Sequence, residues 1–347
     1  MDRVVRVLVV DDSAYIRKVV KKMLSRSPFI EVVGTARDGQ EALELVEQLH
    51  PDVLTLDLIM PNMDGLELLH ALRKRRPVPT IILSIASETG EMALEALAAG
   101  AVDFVQKPTA LATEKVLDIT EELIQKVKAA SVVSLANLQK VVGSVAPPAM
   151  VLPMVGSKTI DMVVIGISTG GPQALSFLIP QLPADLSVPM AIVLHMPVGY
   201  TELYANRLNE MCSVKVVEAK DGVEVSPGVV LVAPAGRHLK FSRQPDGKVV
   251  TVLDARPFDT LHRPSVDVLF QSAAEVFGDR VLGVVMTGMG SDGKQGAAWV
   301  KSAGGTIFSE AEKTCVVYGM PRSVVEAGLS DRVIPLDQMA SAILDML

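Results

Sequence analysis

Three carboxylates, a lysine and a hydroxyl stand at the ends of apolar runs in the first third of the chain. Asp11 and Asp12 end the run Val4 to Val10, Asp57 lies within Val53 to Ile59, Ser84 ends Thr80 to Ile85, and Lys107 ends Ala101 to Val105 just before Pro108. In an open parallel sheet, functional groups gather at the carboxyl ends of strands, outside the topological switch point. Carboxylates collected there repel unless a cation sits among them, and hard oxygen donors select Mg²⁺ with retained waters. Phosphoryl transfer needs an attacking oxygen, a metal ion on the phosphoryl oxygens, a fixed cation and a hydroxyl donor. Asp57, a Mg²⁺ ion held by Asp12 and Asp57, Lys107 and Ser84 fill those roles in that order. Taken singly, such an Asp is more often a helix cap and such a Lys a solvated charge, so the joint pattern is what points to a phospho-acceptor site.

A second set has different chemistry. The run Met162 to Ile167 ends in Ser168-Thr169-Gly170-Gly171-Pro172, Met190 to Leu194 ends in His195, and Val281 to Met286 leads into Thr287-Gly288-Met289-Gly290-Ser291-Asp292-Gly293. Ser168, His195 and Asp292 supply a nucleophile, a base and an orienting carboxylate, the requirement for acyl transfer. His238 and His262 are rival bases, but neither directly ends an apolar strand. Gly166-Ile167-Ser168-Thr169-Gly170 satisfies the G-x-S-x-G elbow formally, yet the chain order Ser, His, Asp differs from the Ser, acid, His of α/β-hydrolases. A dinucleotide fingerprint fails, because Ser168 occupies the middle glycine position. Metal-dependent hydrolysis fits less well, since no His, Cys or carboxylate cluster there has ligand spacing.

The elements that position these residues alternate β-branched runs with amphipathic helical stretches, the pattern of βαβ units and mostly parallel sheets. In the first helix Ile16, Val19, Val20, Met23 and Leu24 form one apolar stripe facing a sheet. The expected architecture is α/β with two doubly wound parallel-sheet domains: 1–128, a linker over 129–157 that contains Val145-Ala146-Pro147-Pro148-Ala149, and 158–347. Asp-Gly, Pro-Gly and Pro-Asp-Gly turns between Val214 and Leu253 predict a short antiparallel section inserted in the second domain. With 347 residues, two cores are expected. A net charge of −7 opposes a broad grip on nucleic acid, and neither a helix-turn-helix nor a basic stripe is visible. Two cysteines, Cys212 and Cys315, without metal-ligand spacing suit a reducing cytoplasm. No leader or membrane-spanning run is visible, so a cytoplasmic protein without direct membrane insertion is expected.

The stretches Val9-Val10-Asp11-Asp12-Ser13, Leu56-Asp57-Leu58-Ile59-Met60-Pro61-Asn62-Met63-Asp64-Gly65 and Val105-Gln106-Lys107-Pro108 resemble the receiver domains of two-component response regulators. The resemblance implies a flavodoxin-like fold and phosphorylation of Asp57 by a histidine kinase. It further implies Mg²⁺ at Asp11, Asp12, Asp57 and Ile59, a switch through Ser84 and Phe104, and a cis peptide before Pro108. Ser168 to Pro172, Val193-Leu194-His195-Met196-Pro197, Arg263-Pro264-Ser265-Val266-Asp267 and Met286 to Gly293 resemble the chemotaxis receptor methylesterases. That resemblance, with a receiver in front, implies hydrolysis of glutamyl methyl esters on the cytoplasmic helices of methylated chemoreceptors, and in many members deamidation of glutamines. It implies oxyanion donors at Thr169 and Met289, cleft residues at His262, Arg263 and Asp267, and no cofactor in the second domain. It also implies that the receiver inhibits the hydrolase until Asp57 is phosphorylated. The oligomeric state stays open, a monomer being the simplest expectation.

Overall fold

The computed structural model describes residues 3–107, 114–133, 159–257 and 259–347. The chain divides into two compact units, Met1–Val142 and Gly143–Leu347. Most of the expected linker 129–157, and the peptide bond between Lys107 and Pro108, lie outside the described residues.

The first unit is a five-stranded parallel sheet in the order β2-β1-β3-β4-β5. Its strands are β1 (Val5–Val10), β2 (Ile30–Ala36), β3 (Val53–Asp57), β4 (Thr80–Ser84) and β5 (Asp103–Gln106). The helices are α1 (Ala14–Leu24), α2 (Gly39–Leu49), α3 (Gly65–Arg75), α4 (Ala86–Ala98) and α5 (Glu114–Ala130). β3 and β4 are buried along their whole length, as strands covered on both faces must be. Val19, Val20, Met23 and Leu24 form the buried face of α1, with Ile16 at its edge. The chain starts at β1, steps to β2 on one side and returns to β3 on the other. The switch point therefore lies between the ends of β1 and β3, where Asp11 and Asp57 sit. Asp64 and Glu67 form a reciprocal capping box that starts α3.

The second unit carries a seven-stranded sheet in the order β14-β13-β12-β6-β7-β9-β8, with every printed pairing parallel. Its strands are β6 (Met162–Ile167), β7 (Met190–Leu194), β8 (Lys215–Glu218), β9 (Val229–Val232), β12 (Val281–Val285), β13 (Thr306–Glu310) and β14 (Arg332–Ile334). The helices are α6 (Gly171–Leu178), α7 (Thr201–Met211), α8 (Val266–Phe277), α9 (Lys294–Ser302), α10 (Met320–Glu326) and α11 (Leu336–Leu344). The antiparallel section is narrower than the turns suggest: only β10 (His238–Arg243) and β11 (Val249–Asp254) form a hairpin. β8 and β9 instead pair in parallel at the edge of the main sheet. Their ten-residue connection, 219–228, carries Asp-Gly and Pro-Gly without reversing the chain into a hairpin, and Glu224 bridges to Val250 of β11. From β6 the chain runs outward to β7 and later returns to β12 on the opposite side, so this sheet also has its switch point beside β6.

Candidate functional sites at two sheet edges

In the first unit the switch point collects the expected charges. Lys107 Nζ donates to Asp57 Oδ2 at 2.7 Å and lies 3.0 Å from Asp11 Oδ2. The Leu58 N–H donates to Asp57 Oδ1 at 2.8 Å, and the Ser13 N–H to Asp11 Oδ1 at 2.8 Å. Asp57 is only 4% exposed and Asp11 is fully buried, while Asp12 faces solvent. Burial raises the Asp11 carboxyl above the usual carboxylate range and outweighs the nearby Lys107, with the Asp57 charge adding to the rise. For Lys107 burial works downward, but its hydrogen bond to Asp57 and its close ion pair with Asp11 win and its ammonium is held more firmly than in water.

One carboxylate oxygen each from Asp11, Asp12 and Asp57 lie within 4.8 Å of one another. Asp11 Oδ2 is buried with no aligned hydrogen-bond donor among the described residues. A divalent ion preferring oxygen ligands fits this donor set. Ile59 follows β3 with an exposed side chain, so any ligand it offers is its carbonyl.

Ser84 and Phe104, the residues expected to form a switch, stand differently. Ser84 Oγ shares a 2.5 Å hydrogen bond with Thr89 Oγ1, at a kink inside α4 where Thr89 leaves helical geometry. Phe104 is fully packed inside, with the Lys126 ammonium 5.6 Å from its ring centre and donating to its carbonyl at 2.7 Å.

In the second unit the three adjacent strands β12, β6 and β7 deliver Asp292, Ser168 and His195 to one edge of the sheet. The His195 N–H donates to the Ile167 carbonyl at 3.2 Å, which fixes its backbone next to Ser168. His195 Nε2 lies 2.8 Å from Asp292 Oδ2. An ionised carboxylate only accepts, so Nε2 carries the hydrogen and Nδ1 is left with its lone pair. Nδ1 is buried and has no hydrogen-bond partner among the described residues, so the bond from Ser168 Oγ to this imidazole is not made here.

Asp292 is held from several sides. Its Oδ1 accepts from Ser265 Oγ and the Asp267 N–H, both at 2.9 Å, and its Oδ2 also accepts from the Val266 N–H at 2.8 Å. Burial pushes this carboxyl up, but His195 and these donors prevail and hold it well below the usual carboxylate range. Asp292 thereby caps the N-terminus of α8. Asp267 returns the arrangement, its Oδ1 accepting from the Gly293 and Gly296 N–H groups at 2.9 and 2.7 Å at the start of α9. Asp267 is thus tied up in a cap. Burial, reinforced by the neighbouring Asp292 charge, raises its carboxyl against those two N–H donors.

The rival histidines separate. His238 is fully buried; its Nδ1 accepts from the Ser265 N–H at 3.2 Å, so its Nε2 carries the hydrogen and donates to the Pro257 carbonyl at 3.1 Å. Burial lowers its pKa, keeping it neutral with both nitrogens engaged. His262 stacks on His195, with ring centres 4.0 Å apart. Arg263 precedes a cis Pro264, and its carbonyl accepts from the Gly236 N–H at 2.9 Å.

Glycine makes the closeness feasible at two points. Gly170 adopts φ +79° at the turn into α6. A Cβ on Gly288 would come within 2.8 Å of the Ser168 Cβ, so only glycine lets the Thr287–Gly293 loop lie against the serine. Thr169 is buried behind Ser168, and Met289 is half-buried in that loop.

Fold and sites thus describe a phospho-acceptor unit joined to an α/β unit with the side chains for acyl transfer. Residues 163–343 match the CheB methylesterase family, and residues 7–121 match the response regulator receiver domain. The chain is 50% identical over 338 residues to protein-glutamate methylesterase/protein-glutamine glutaminase 5 of Myxococcus xanthus, covering 96% of each chain. It is 45% identical to the protein-glutamate methylesterase/protein-glutamine glutaminase of Halalkalibacterium halodurans, over 99% of this chain and 98% of that one. The crystal structure of the Thermotoga maritima CheB methylesterase catalytic domain aligns with a TM-score of 0.53 at 42% identity, covering 55% of this chain and all of that one. The chain belongs to the CheB-type protein-glutamate methylesterase/protein-glutamine glutaminase family, with a receiver domain ahead of the methylesterase domain. Among the described residues, no helix is long and apolar enough to cross a membrane.

Proposed function

We propose that this enzyme removes methyl groups from glutamyl esters on chemoreceptor cytoplasmic helices, and deamidates glutamines there, under the control of Asp57 phosphorylation. The observation that carries the reading is the His195 Nε2–Asp292 Oδ2 bond of 2.8 Å beside Ser168, which leaves Nδ1 as the one imidazole nitrogen able to take a proton.

Ser168 Oγ attacks the ester carbonyl carbon as its proton passes to His195 Nδ1. Asp292 stays ionised and stabilises the imidazolium. The N–H groups of Thr169 and Met289 receive the developing oxyanion. Collapse breaks the bond to the methoxy oxygen, and His195 returns the proton so that methanol leaves. Water then attacks the acyl-enzyme with His195 again as base, releasing glutamate and restoring the Ser168 hydroxyl. For a glutamine the leaving group is ammonia and the product is the same carboxylate. His262 braces the imidazole by stacking, and Arg263 and Asp267 bound the cleft.

In the receiver, Asp57 Oδ accepts the phosphoryl group from a histidine kinase. Asp11, Asp12 and Asp57, with the Ile59 carbonyl, would hold the Mg²⁺, which would supply positive charge to the phosphoryl oxygens. Lys107 keeps a fixed positive charge against Asp57, and Ser84 leaves Thr89 to donate to the phosphoryl group while Phe104 completes the switch. Purified Ser168→Ala protein is expected to release no methanol from methylated receptor membranes. Methanol release at the wild-type rate means that another residue is the nucleophile.

A further inference from the structure

Thr287, just beyond β12, holds the serine segment by two bonds. Its carbonyl accepts from the Ser168 N–H at 2.9 Å, and its Oγ1 donates to the Thr169 carbonyl at 2.9 Å. The same Oγ1 accepts from the Val316 and Val317 N–H groups at 3.1 and 3.0 Å. The backbone N–H of Thr287 is taken up by Glu310. The β12–β13 ladder ends at the pair Val285 and Ser309. Beyond it, Glu310 Oε2 takes the place of a strand carbonyl and accepts from the Thr287 N–H at 2.9 Å.

Glu310 is fully buried; its other oxygen, Oε1, has no aligned donor among the described residues, although the Thr314 hydroxyl and the Cys315 thiol interact with the carboxyl and, with the Thr287 N–H, work against the effect of burial. Burial pushes its carboxyl up to about 7. An apolar residue would fill this space without desolvating an ionisable group, so packing alone does not account for a carboxyl here. What the carboxyl adds is an acceptor in line with Thr287 N–H. The next residue, Gly288, lies against the Ser168 Cβ and is followed directly by Met289. A shift of Thr287 therefore displaces the nucleophile and one oxyanion donor together.

We infer that Glu310 is a positioning residue for the hydrolytic step, setting Ser168 and the 287–289 segment through its bond to Thr287. It touches neither substrate nor the reacting atoms. The inference rests on Ser168 being the nucleophile.

The test is methanol release from methylated chemoreceptor membranes by the full-length protein, with acetyl phosphate and Mg²⁺, resolved into kcat and KM. Glu310→Leu, which has no acceptor, is expected to lower kcat about 10- to 100-fold with KM nearly unchanged, the scale of a small misplacement of reacting groups. Glu310→Gln keeps a carbonyl oxygen for Thr287 and is expected to restore kcat to within about threefold of wild type. Should Glu310→Leu fail to fold, Glu310→Met carries the test, because it matches the glutamate in length yet offers the Thr287 N–H no oxygen acceptor, and it is expected to show the same kcat loss. Full kcat in Glu310→Leu or Glu310→Met overturns the inference, as does a Glu310→Gln protein no better than these two, or a loss confined to KM. Ser168→Ala run alongside separates the two failures. If it retains activity, the nucleophile reading falls; if it is inactive while Glu310→Leu or Glu310→Met keeps full kcat, only the role of Glu310 falls.

Discussion

Asp292 serves two purposes through one carboxylate: it orients His195, and it accepts from Ser265 Oγ and from the Val266 and Asp267 N–H groups at the start of α8. Asp292→Asn is therefore expected to cost both activity and stability. Loss of the orienting carboxylate in such triads lowers kcat by about 10⁴. Turning one acceptor oxygen into a donor among buried donors costs about 1–3 kcal/mol. Methanol release and thermal unfolding measure the two separately, and an inactive variant of wild-type stability would contradict the shared role. Glu310 gives a pH signature of its own. Its folded pKa of about 7 lies above its ordinary 4.5, so the folded state holds the proton longer than the unfolded chain does. The stability it confers is full below pH 4.5, is lost as pH rises through 7, and is then flat. The loss is on the order of 3 kcal/mol. Glu310→Gln should flatten the fall in unfolding stability between pH 4.5 and pH 7, and an unaltered slope would mean that another group causes it.

At the scale of elements, α8 and α9 cap one another: Asp292 sits at the start of α8 and Asp267 at the start of α9. Asp267→Ala removes the acceptor for two N–H groups and should destabilise by about 1–2 kcal/mol, readable in denaturant unfolding. In the receiver, the hydroxyl pair Ser84–Thr89 must part before Ser84 can serve a phosphoryl group. Thr89→Val is expected to lower the half-activating acetyl phosphate concentration about 2- to 10-fold, the worth of one hydrogen bond; an unchanged concentration would show that the pair does not hold the switch. This is also the scale at which the sequence is least legible. Met162–Ile167, Met190–Leu194 and Val229–Val232 stand out as short, almost wholly apolar runs because both faces of a parallel sheet are covered. His238–Arg243 alternates apolar residues with Lys, Ser and Arg, and Arg332–Ile334 is a three-residue edge strand; neither has such a run. Thr306–Glu310 is short and half polar, which hid Glu310, although an acidic residue closing an apolar run was its available signal. That Ser168, His195 and Asp292 meet at one end of the sheet could be read because each comes after a strong strand. The reciprocal caps could not, because each joins groups 25 or more residues apart.

At the level of the whole molecule, the proposed function joins a phospho-acceptor carboxylate in one unit to an acyl-transfer site in the other. The two chemistries are separable by mutation. Asp57→Asn should leave the hydrolytic residues intact and remove only the response to a phosphoryl donor. His195 and Asp292 variants should bind receptor and accept phosphate yet release no methanol. The measurement that tests the central claim most directly is methanol release from methylated chemoreceptor membranes by the wild-type, Ser168→Ala and Asp57→Asn proteins, each with and without acetyl phosphate and Mg²⁺. The account predicts stimulated release by wild type, none by Ser168→Ala, and a basal rate insensitive to acetyl phosphate in Asp57→Asn. Release by Ser168→Ala, or a response of Asp57→Asn equal to that of wild type, would contradict it.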